Sequence, residues 1–401
     1  MNVDELVRDS LREQAAEQPA LGPGFAERVL AVRRRRRTQA LASVAAATAA
    51  VVAFALAVPL LASGKDDGRL ANVSAHPDQT PPRDMIAAGD VAMAAYYTWD
   101  TAKQADGREF AVRTYRLLDP KTGRYVKTTK WARVAVAPGM RTAAVLERNL
   151  PAKRIGLLNM LTGEVERWIP VDHGVADVEF SPDGSKLVAT TYSKNPDLVL
   201  HKARRDFNGD GDRDWMRQDA PQEGHTGFYV LDVAFGKASW SEAAVVDALG
   251  AQDFSFSSVG KLLYSGTTSP PYRQYYDFAG KQVAAPANEA HVSWRNESGL
   301  SPDGKLVAGG FQRPRRPGEQ PHWLLIDPRT GKPVTTVRGY ELLAWIDNKR
   351  LIAWDYGLRL KEPRFRLALV TIGSDEVVPL SGFSDAGDGG TLDWTPVLAE
   401  R

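Results

Sequence analysis

Cysteine is absent from the 401-residue chain. A disulfide framework, a zinc–thiolate site and a thiol nucleophile are therefore excluded. A surplus of charge is missing as well, because 43 basic residues balance 43 acidic ones outside residues 1–38. A nucleic-acid-binding surface needs a sustained basic excess to neutralise phosphates, so no nucleic-acid partner is expected.

Signatures of catalysis are also scarce. The six histidines are scattered without the spacing of metal ligands, and no G-x-S-x-G nucleophile elbow occurs. The sequence therefore favours a binding protein over an enzyme. Acidic residues from distant segments can still converge in a folded chain, so catalysis by paired carboxylates stays an open alternative.

The longest run without charge covers residues 38–62 and directly follows five arginines, Arg33 to Arg37. About 20 apolar residues span a bilayer core of roughly 30 Å, and a cationic flank stays in the cytoplasm. We therefore expect a cytoplasmic tail over residues 1–37, a single transmembrane helix over 38–62 in the lipid bilayer, and an extracytoplasmic remainder at the cell membrane. A cleaved signal peptide is the alternative, although this run exceeds the usual signal core.

The segments on either side of this run are short. Residues 1–30 contain apolar residues at helical spacing, Val3, Leu6, Val7 and Leu11, which is compatible with a helix that docks on a cytoplasmic partner or with a disordered tail. Residues 63–88 are rich in Gly, Asp, Pro and Ser. This composition predicts a flexible extracytoplasmic linker.

A turn motif recurs along the rest of the chain. Its turn positions are spaced by 44, 76, 44 and 45 residues, and each is flanked by alternating apolar residues. A period of about 40–45 residues is typical of propeller blades with four strands each. The interval of 76 residues then contains one blade and an insertion, at residues 194–226. The turn positions are Pro138, Pro182, Ser258, Pro302 and Asp347.

A second hairpin follows each first one, starting near residues 117, 157, 230, 276, 325 and 369. The missing sixth first strand matches the C-terminal segment around residues 391–398. We expect this segment to pair with the strand at Val91–Trp99 and thereby close the ring, which removes an open sheet edge. The predicted fold class is all-β, a six-bladed β-propeller over residues 89–401, with seven blades as the alternative.

Two of the turns, Phe180–Gly184 and Leu300–Gly304, read F-S-P-D-G and L-S-P-D-G. With these motifs, residues 89–401 resemble WD-repeat and TolB-like propellers, although the paired Gly-His and Trp-Asp signature of WD repeats does not recur. The resemblance implies a propeller architecture and leaves the function open. The order of tail, apolar span and exported propeller resembles membrane proteins of actinobacteria.

The insertion contains a run with the pattern of a calcium loop. Side-chain oxygens stand at alternate positions, with Gly211 at the sixth position for the sharp turn. Calcium collects several such oxygens, so we expect a stabilising Ca²⁺ here, whereas an acidic turn without metal is the alternative. Position 12 of the pattern is Arg217, so the loop departs from an EF-hand. The candidate ligands are Asp206, Asn208, Asp210, Asp212 and Asp214.

These observations favour a membrane-tethered extracytoplasmic protein for binding, sensing or scaffolding. Basic residues in loops on the same side as the insertion make an anionic extracellular ligand or an unknown protein conceivable as the partner. The alternative function is an exported hydrolase or lyase that acts on cell-wall or carbohydrate substrates. The loop residues in question are Arg148, Lys153, Arg154, Arg273, Arg313, Arg315, Arg316, Arg359, Lys361 and Arg364.

Overall fold

A computed structural model describes residues 72–103, 109–203, 215–219, 225–243, 253–267, 272–293, 297–314, 316, 319–359, 362–385 and 392–401. Clustering of contacts separates Met1–Asp66 from Asp67–Arg401, and every described residue belongs to the second unit. Within the described residues the chain is all-β, and no helix there has the length and hydropathy to span a membrane. The predicted tail and transmembrane helix, residues 1–62, lie outside the described part.

The described residues form 26 strands. The first half comprises β1 (Ala87–Ala88), β2 (Val91–Lys103), β3 (Glu109–Asp119), β4 (Arg124–Thr128), β5 (Trp131–Val136), β6 (Thr142–Glu147), β7 (Ala152–Asn159), β8 (Glu164–Phe180), β9 (Lys186–Tyr192), β10 (Leu198–Ala203), β11 (Trp215–Asp219), β12 (His225–Asp232) and β13 (Lys237–Glu242). The second half comprises β14 (Ser255–Phe256), β15 (Leu263–Gly266), β16 (Arg273–Tyr276), β17 (Gln282–Val283), β18 (Val307–Gln312), β19 (His322–Ile326), β20 (Pro333–Arg338), β21 (Glu341–Trp345), β22 (Arg350–Arg359), β23 (Glu362–Thr371), β24 (Val377–Pro379), β25 (Ser384–Asp385) and β26 (Thr395–Glu400).

These strands form five antiparallel sheets in a propeller arrangement. The first has the order β1-β2-β3-β10-β11, with β26 added to β2 and β4 added to β3. The second has the order β13-β12-β9-β8-β7-β6-β5, in which β8 pairs with β7 through its first half and with β9 through its second half. The others are β14-β15-β16-β17, β18-β19-β20 and β21-β22-β23-β24, the last with β25 added to β23.

We use the term inner strands for β26, β5, the second half of β8, β14 and β21, because each begins one antiparallel set. Neighbouring inner strands touch one another: β26 contacts β5, β5 contacts β8, and β8 contacts β14. Such side-by-side first strands surround the central channel of a propeller. The inner strands therefore position whatever side chains line the axis.

The predicted turns are confirmed where they connect an inner strand to the next strand. Ser181 donates its backbone N–H to the carbonyl of Lys186 at 2.9 Å, and Ser257 and Ser301 make the equivalent bonds to Leu262 and Leu306 at 2.9 Å. Gly184 adopts a φ of +69°, which only glycine adopts without strain. The S-P-D-G pattern thus favours a tight turn through local interactions.

The six second hairpins are confirmed as well. They pair β3 with β4, β7 with β8, β12 with β13, β16 with β17, β19 with β20 and β23 with β24. In the first of them Gly123 donates to the carbonyl of Asp119 at 2.9 Å, and the Asp119 carboxylate accepts the N–H of Lys121. Short acidic side chains at the turn entry satisfy the turn backbone in this way.

The C-terminal strand pairs with the N-terminal part of the propeller, which confirms the predicted closure. The register of β26 on β2 runs from Val91 opposite Glu400 to Tyr97 opposite Thr395. Trp394, immediately before β26, is fully buried and packs against the rings of Trp354 at 4.8 Å and Tyr96 at 5.5 Å. Because both ends of the domain share this aromatic cluster, unfolding of one end exposes the other.

Part of the expected linker belongs to the folded domain. Ser74 bonds the backbone of Ala87 in both directions, His76 bridges to Ser381, and Ile86 is fully buried. The apolar residues of this segment fill a groove beside β2, which the turn-forming composition of residues 63–88 did not reveal. Residues 72–88 are therefore packed, and only 63–71 of the expected linker lie outside the described part.

We call the end of the strands that carries the β2–β3, β6–β7 and β9–β12 connections the insertion face, and the opposite end, with the repeat turns, the turn face. The insertion emerges between β9 and β12 and includes the hairpin of β10 and β11. Its strand β10 pairs with β3 at Leu198 opposite Phe110 and Val199 opposite Glu109. The insertion therefore reaches across the insertion face and joins the first sheet.

Candidate functional site: a charged ring on the inner strands

One position of the repeat is charged in four successive units. Five residues before the turn positions 138, 182, 258 and 302 stand Arg133, Asp177, Asp253 and Glu297. Glu341 is one residue further from its turn, because β21 contains a β-bulge between Leu342 and Ala344. We call these five residues the charged ring.

Arg133 links several members of this region. Its Nε donates to Asp177 at 3.1 Å, and its two Nη atoms donate to Asp197 at 2.9 and 3.0 Å. The acidic neighbours Asp197, Asp177 and Asp253 raise the pKa of Arg133 against the opposing effect of burial. The guanidinium is therefore a fixed positive charge held beside the inner strands.

Asp197 is clamped between two arginines. Besides Arg133 it accepts two hydrogen bonds from Arg113, at 2.7 and 3.0 Å, and the side chains of Arg113 and Asp197 are only 7% and 10% exposed. The Arg113 guanidinium also lies over the ring of Trp99 at 3.9 Å. Since Asp197 directly precedes β10, this clamp fixes the start of the insertion to β3 and β5.

Asp177 and Asp253 perturb one another. Burial first, and then the neighbouring Asp253, raise the pKa of Asp177 well above its usual range, although Arg133 opposes this shift. Burial likewise raises the pKa of Asp253, which accepts a hydrogen bond from the Tyr192 hydroxyl at 2.8 Å. The Asp177 side chain nevertheless keeps 26% of its surface exposed. A carboxylate enclosed by protein yet reached by water is typical of the wall of a narrow channel.

Two further acids have raised pKa values. Burial together with the neighbouring Glu297, which is itself exposed, raises the pKa of Glu341 to about 7. Glu179, two residues beyond Asp177, accepts the N–H of Phe256 at 3.1 Å and also has a pKa raised by burial. The charged ring thus holds several acidic groups whose simultaneous ionisation is unfavourable. Protonation or an added cation would lower the electrostatic free energy of the ring.

The distribution of acidic residues can be compared with that of a metal site. Among the described residues, no three His, Asp or Glu side chains are grouped closely enough to hold one ion. Asp177 and Glu341 lie in β8 and β21, whereas Asp253 precedes β14 and Glu297 lies outside the strands.

The predicted calcium ligands Asp206, Asn208, Asp210, Asp212 and Asp214 lie outside the described residues. Their immediate surroundings are partly described, because β10 and β11 pair up to Ala203 opposite Trp215. The run is thus the connection of a β-hairpin that starts at the Asp197 clamp. The calcium site stays a prediction.

Several of the basic loop residues are committed to contacts within the chain. Arg154 pairs with Glu147 at 2.7 Å and lies over the ring of Trp168 at 4.0 Å. Arg273 is buried, lies over the Tyr264 ring at 3.7 Å and is 3.7 Å from Glu289. The side chains of Arg315, Arg359 and Lys361 lie outside the described part. The anionic ligand expected from these residues gains no geometric support from Arg154 or Arg273.

His225 lies close to the ring. Its own ring stacks on Phe254 at 4.8 Å and meets Tyr192, the partner of Asp253, at 5.2 Å. Neither ring nitrogen has a hydrogen-bond partner, and burial lowers the pKa of His225 to about 4. This imidazole is therefore neutral at physiological pH and acts as an apolar wall rather than a charge.

The charged ring was missed from sequence although its signal was present. Once the turns are aligned, the charged residues five positions before them form a column. Each of these residues alone resembles an ordinary polar residue at the start of a strand. Only the closure of the propeller brings the column together around one axis.

No family model matches the chain, and no curated protein matches its sequence. Solved structures with a similar course of the backbone include TolB from Acinetobacter baumannii, with 16% sequence identity, 73% of this chain and 66% of that chain covered, and a TM-score of 0.36. A β-propeller domain from Myceliophteria thermophila has 11% identity, 73% and 99% coverage and a TM-score of 0.32.

A third structure, the hydrazine synthase of Kuenenia stuttgartiensis, has 15% identity, 68% and 76% coverage and a TM-score of 0.33. Likenesses of this size concern the course of the backbone alone, so the assignment of the fold depends on the sheets and turns of the chain itself. By the arrangement of its sheets, the described part of this chain is a β-propeller that resembles TolB and WD-repeat propellers.

Proposed function

We propose that this protein is a membrane-tethered, extracytoplasmic binding propeller that takes up a cationic group at the charged ring. The observation that carries the proposal is the charged ring itself, with its acids near the turns of four successive units and their raised pKa values. Like charges close together at partly buried positions cost stability, so a protein that concentrates them at one axis gains most from an opposite charge supplied by a ligand.

The blade count belongs to this proposal. The second sheet contains two sets of four strands that share β8, and the first, third and fifth sheets each contain one further set of four. The three-stranded sheet β18-β19-β20 follows the turn at Ser301 and supplies the remaining unit. Six units of this kind support a six-bladed propeller closed by β26.

The tether and the calcium loop complete the proposal. The uncharged residues 38–62 behind Arg33–Arg37 support a single transmembrane anchor with the propeller outside the cytoplasm. The acidic run at 206–214 supports a Ca²⁺ that stiffens the β10–β11 hairpin above the insertion face. In this arrangement the ligand enters from the side that carries the insertion.

Binding of a small polyamine tests the charged ring. We expect spermidine to bind the full chain in detergent, and we expect Asp177→Asn combined with Asp253→Asn to weaken its affinity at least tenfold, which corresponds to about 1.4 kcal/mol. Isothermal titration calorimetry at low and at high salt is the measurement, because ionic attraction at an open channel weakens with screening.

Asp172→Asn is the matched control, since Asp172 is an exposed carboxylate on the same strand, β8. Equal affinities of wild type, double variant and control would overturn the ring as a binding site. Conversion of a cell-wall or carbohydrate substrate that depends on Asp177 and Asp253 would instead support the alternative, a hydrolase or lyase. Two adjacent acids with raised pKa values are the observation that favours that alternative.

Calcium binding has its own test. With a dissociation constant of 0.1–1 mM, 10 mM Ca²⁺ should stabilise the protein by about 1.4–2.7 kcal/mol. We expect a corresponding rise of the melting temperature, absent in Asp206→Asn combined with Asp210→Asn and absent with Mg²⁺. The same melting temperature with and without Ca²⁺ would reject the site.

A further inference from the structure

The turn face carries exposed apolar residues at the tips of neighbouring turns. Leu161 in the β7–β8 turn is 54% exposed, Phe235 in the β12–β13 turn is 76% exposed, and Val259 in the β14–β15 turn is 55% exposed. Turn tips of soluble proteins are normally polar, and exposure of a large aromatic side chain to water there is unfavourable. These three residues therefore need an apolar environment that the folded domain does not supply.

The same face is lined by basic side chains, which follow the turn glycines in almost every hairpin. Among the described residues, the exposed members without a carboxylate within ion-pair distance are Lys121, Arg141, Lys237, Lys261, Lys281, Arg329, Lys332 and Lys349. Long basic side chains of this kind extend beyond the turns and keep their charge in water. Apolar tips surrounded by such charges match the composition of a surface that binds anionic lipid.

Two aspartates of this face bond the backbone of their own turns. Asp327 accepts the backbone N–H of Arg329 at 2.8 Å, and Asp347 accepts those of Lys349 and Arg350 at 2.8 and 3.0 Å. These backbone and side-chain donors lower the pKa of Asp327 and Asp347. Both carboxylates therefore stay ionised, but the exposed basic side chains of these turns outnumber the exposed acidic ones, which include Glu164, Asp183, Asp375 and Glu376.

The N-terminal end of the folded domain also lies at the turn face. Arg401 follows the last residue of β26 and donates to the carbonyl of Asn72 at 3.3 Å, while Gly139, in a repeat turn, donates to the carbonyl of Glu400 at 2.9 Å. Nine residues lie between Ala62, the end of the predicted membrane span, and Asn72. Even a fully extended segment of this length reaches only about 35 Å.

We propose that the turn face docks on the anionic surface of the bilayer, with Leu161, Phe235 and Val259 at the boundary between headgroups and acyl chains. This inference rests on the proposed membrane tether, which starts from the same face. The basic side chains contact lipid phosphates, and the short connection keeps the face at the membrane. The insertion face with the charged ring then points away from the bilayer, open to a ligand.

The absence of cysteine permits a direct test with single labelled positions. Ala234→Cys next to Phe235, and Asn149→Cys on the insertion face as the matched control, each carry a fluorophore in the full chain reconstituted into vesicles with a lipid-borne quencher. We expect quenching at position 234 several-fold stronger than at 149 in vesicles with phosphatidylglycerol. Pure phosphatidylcholine vesicles should reduce the difference.

Two further variants make the result specific. Phe235→Ser together with Leu161→Ser should remove most of the quenching at position 234, whereas Val126→Ser, which alters an equally exposed valine on the outer strand β4, should not. Equal quenching at positions 234 and 149 would overturn the docking. If the chain fails to float with vesicles in high salt, the tether is wrong, whereas flotation with equal quenching refutes the docking alone.

Discussion

Replacement of Asp197 by alanine should lower the free energy of unfolding by about 3–5 kcal/mol, because two guanidinium groups lose their shared carboxylate. Arg113 and Arg133 are 7% and 13% exposed, so water cannot take over the lost hydrogen bonds without a rearrangement. Asp197→Asn keeps the shape and loses the charge, and should fall between alanine and wild type. Urea unfolding of the full chain in detergent, followed by tryptophan fluorescence, measures the change.

A double-mutant cycle separates the clamp from a general packing defect. Arg113→Met should cost less in the Asp197→Ala background than in the wild type, because the charge it removes no longer has a partner there. Glu147→Gln is the control, since its pair with Arg154 is solvated on both sides, 42% and 46% exposed, and its loss should leave the unfolding midpoint nearly unchanged. Additive effects of Asp197→Ala and Arg113→Met would contradict the clamp.

Glu341→Gln should stabilise the protein above neutral pH and leave it unchanged near pH 4. Burial and Glu297 raise the pKa of Glu341 from 4.5 to about 7 in the folded state. The folded state therefore holds a proton that the unfolded chain has already released, and stability falls as pH rises from about 4.5 to about 7. For this shift the loss is about 3 kcal/mol, and glutamine avoids it because it never ionises.

The comparison requires unfolding curves of wild type and variant at pH 4.5 and pH 8. Glu376→Gln is the matched control, because Glu376 is exposed on the β23–β24 connection and should follow the wild type at both values. His225, with a pKa lowered to about 4, contributes a slope of opposite sign below about pH 6.5 in all three proteins. Parallel pH curves for wild type and Glu341→Gln would show that Glu341 titrates as an exposed acid.

The repeat explains which parts of the fold could be predicted from the sequence alone. Turn positions and second hairpins were predictable because S-P-D-G and its variants encode a reversal within six residues, where glycine supplies the positive φ and aspartate the backbone acceptor. The closing strand was predictable because an unpaired first strand remained and a ring leaves no open edge. The packing of residues 72–88 was not predictable from the sequence, because a segment rich in Pro and Asp is typical of a linker even when it contains buried residues such as Ile86.

The candidate site was also predictable only in part. The sequence shows that one position of the repeat is charged, but whether these charges interact depends on distances between residues that are 40 or more positions apart. Asp197 was invisible as a site residue because its two partners, Arg113 and Arg133, are 84 and 64 residues away along the chain. Long-range ion pairs of this kind have no local pattern.

The sequence by itself therefore determined the absence of thiol chemistry, the uncharged span behind five arginines, the hairpins and the propeller period, because each depends on composition or on neighbours within a few residues. Only the tertiary structure decided that the acids of separate units face one another, that the insertion is fixed by the Asp197 clamp, and that Leu161 and Phe235 share the turn face with the entry of the chain. Burial and Coulomb interaction depend on distance in space, and the chain defines that distance only once its ring of sheets has closed.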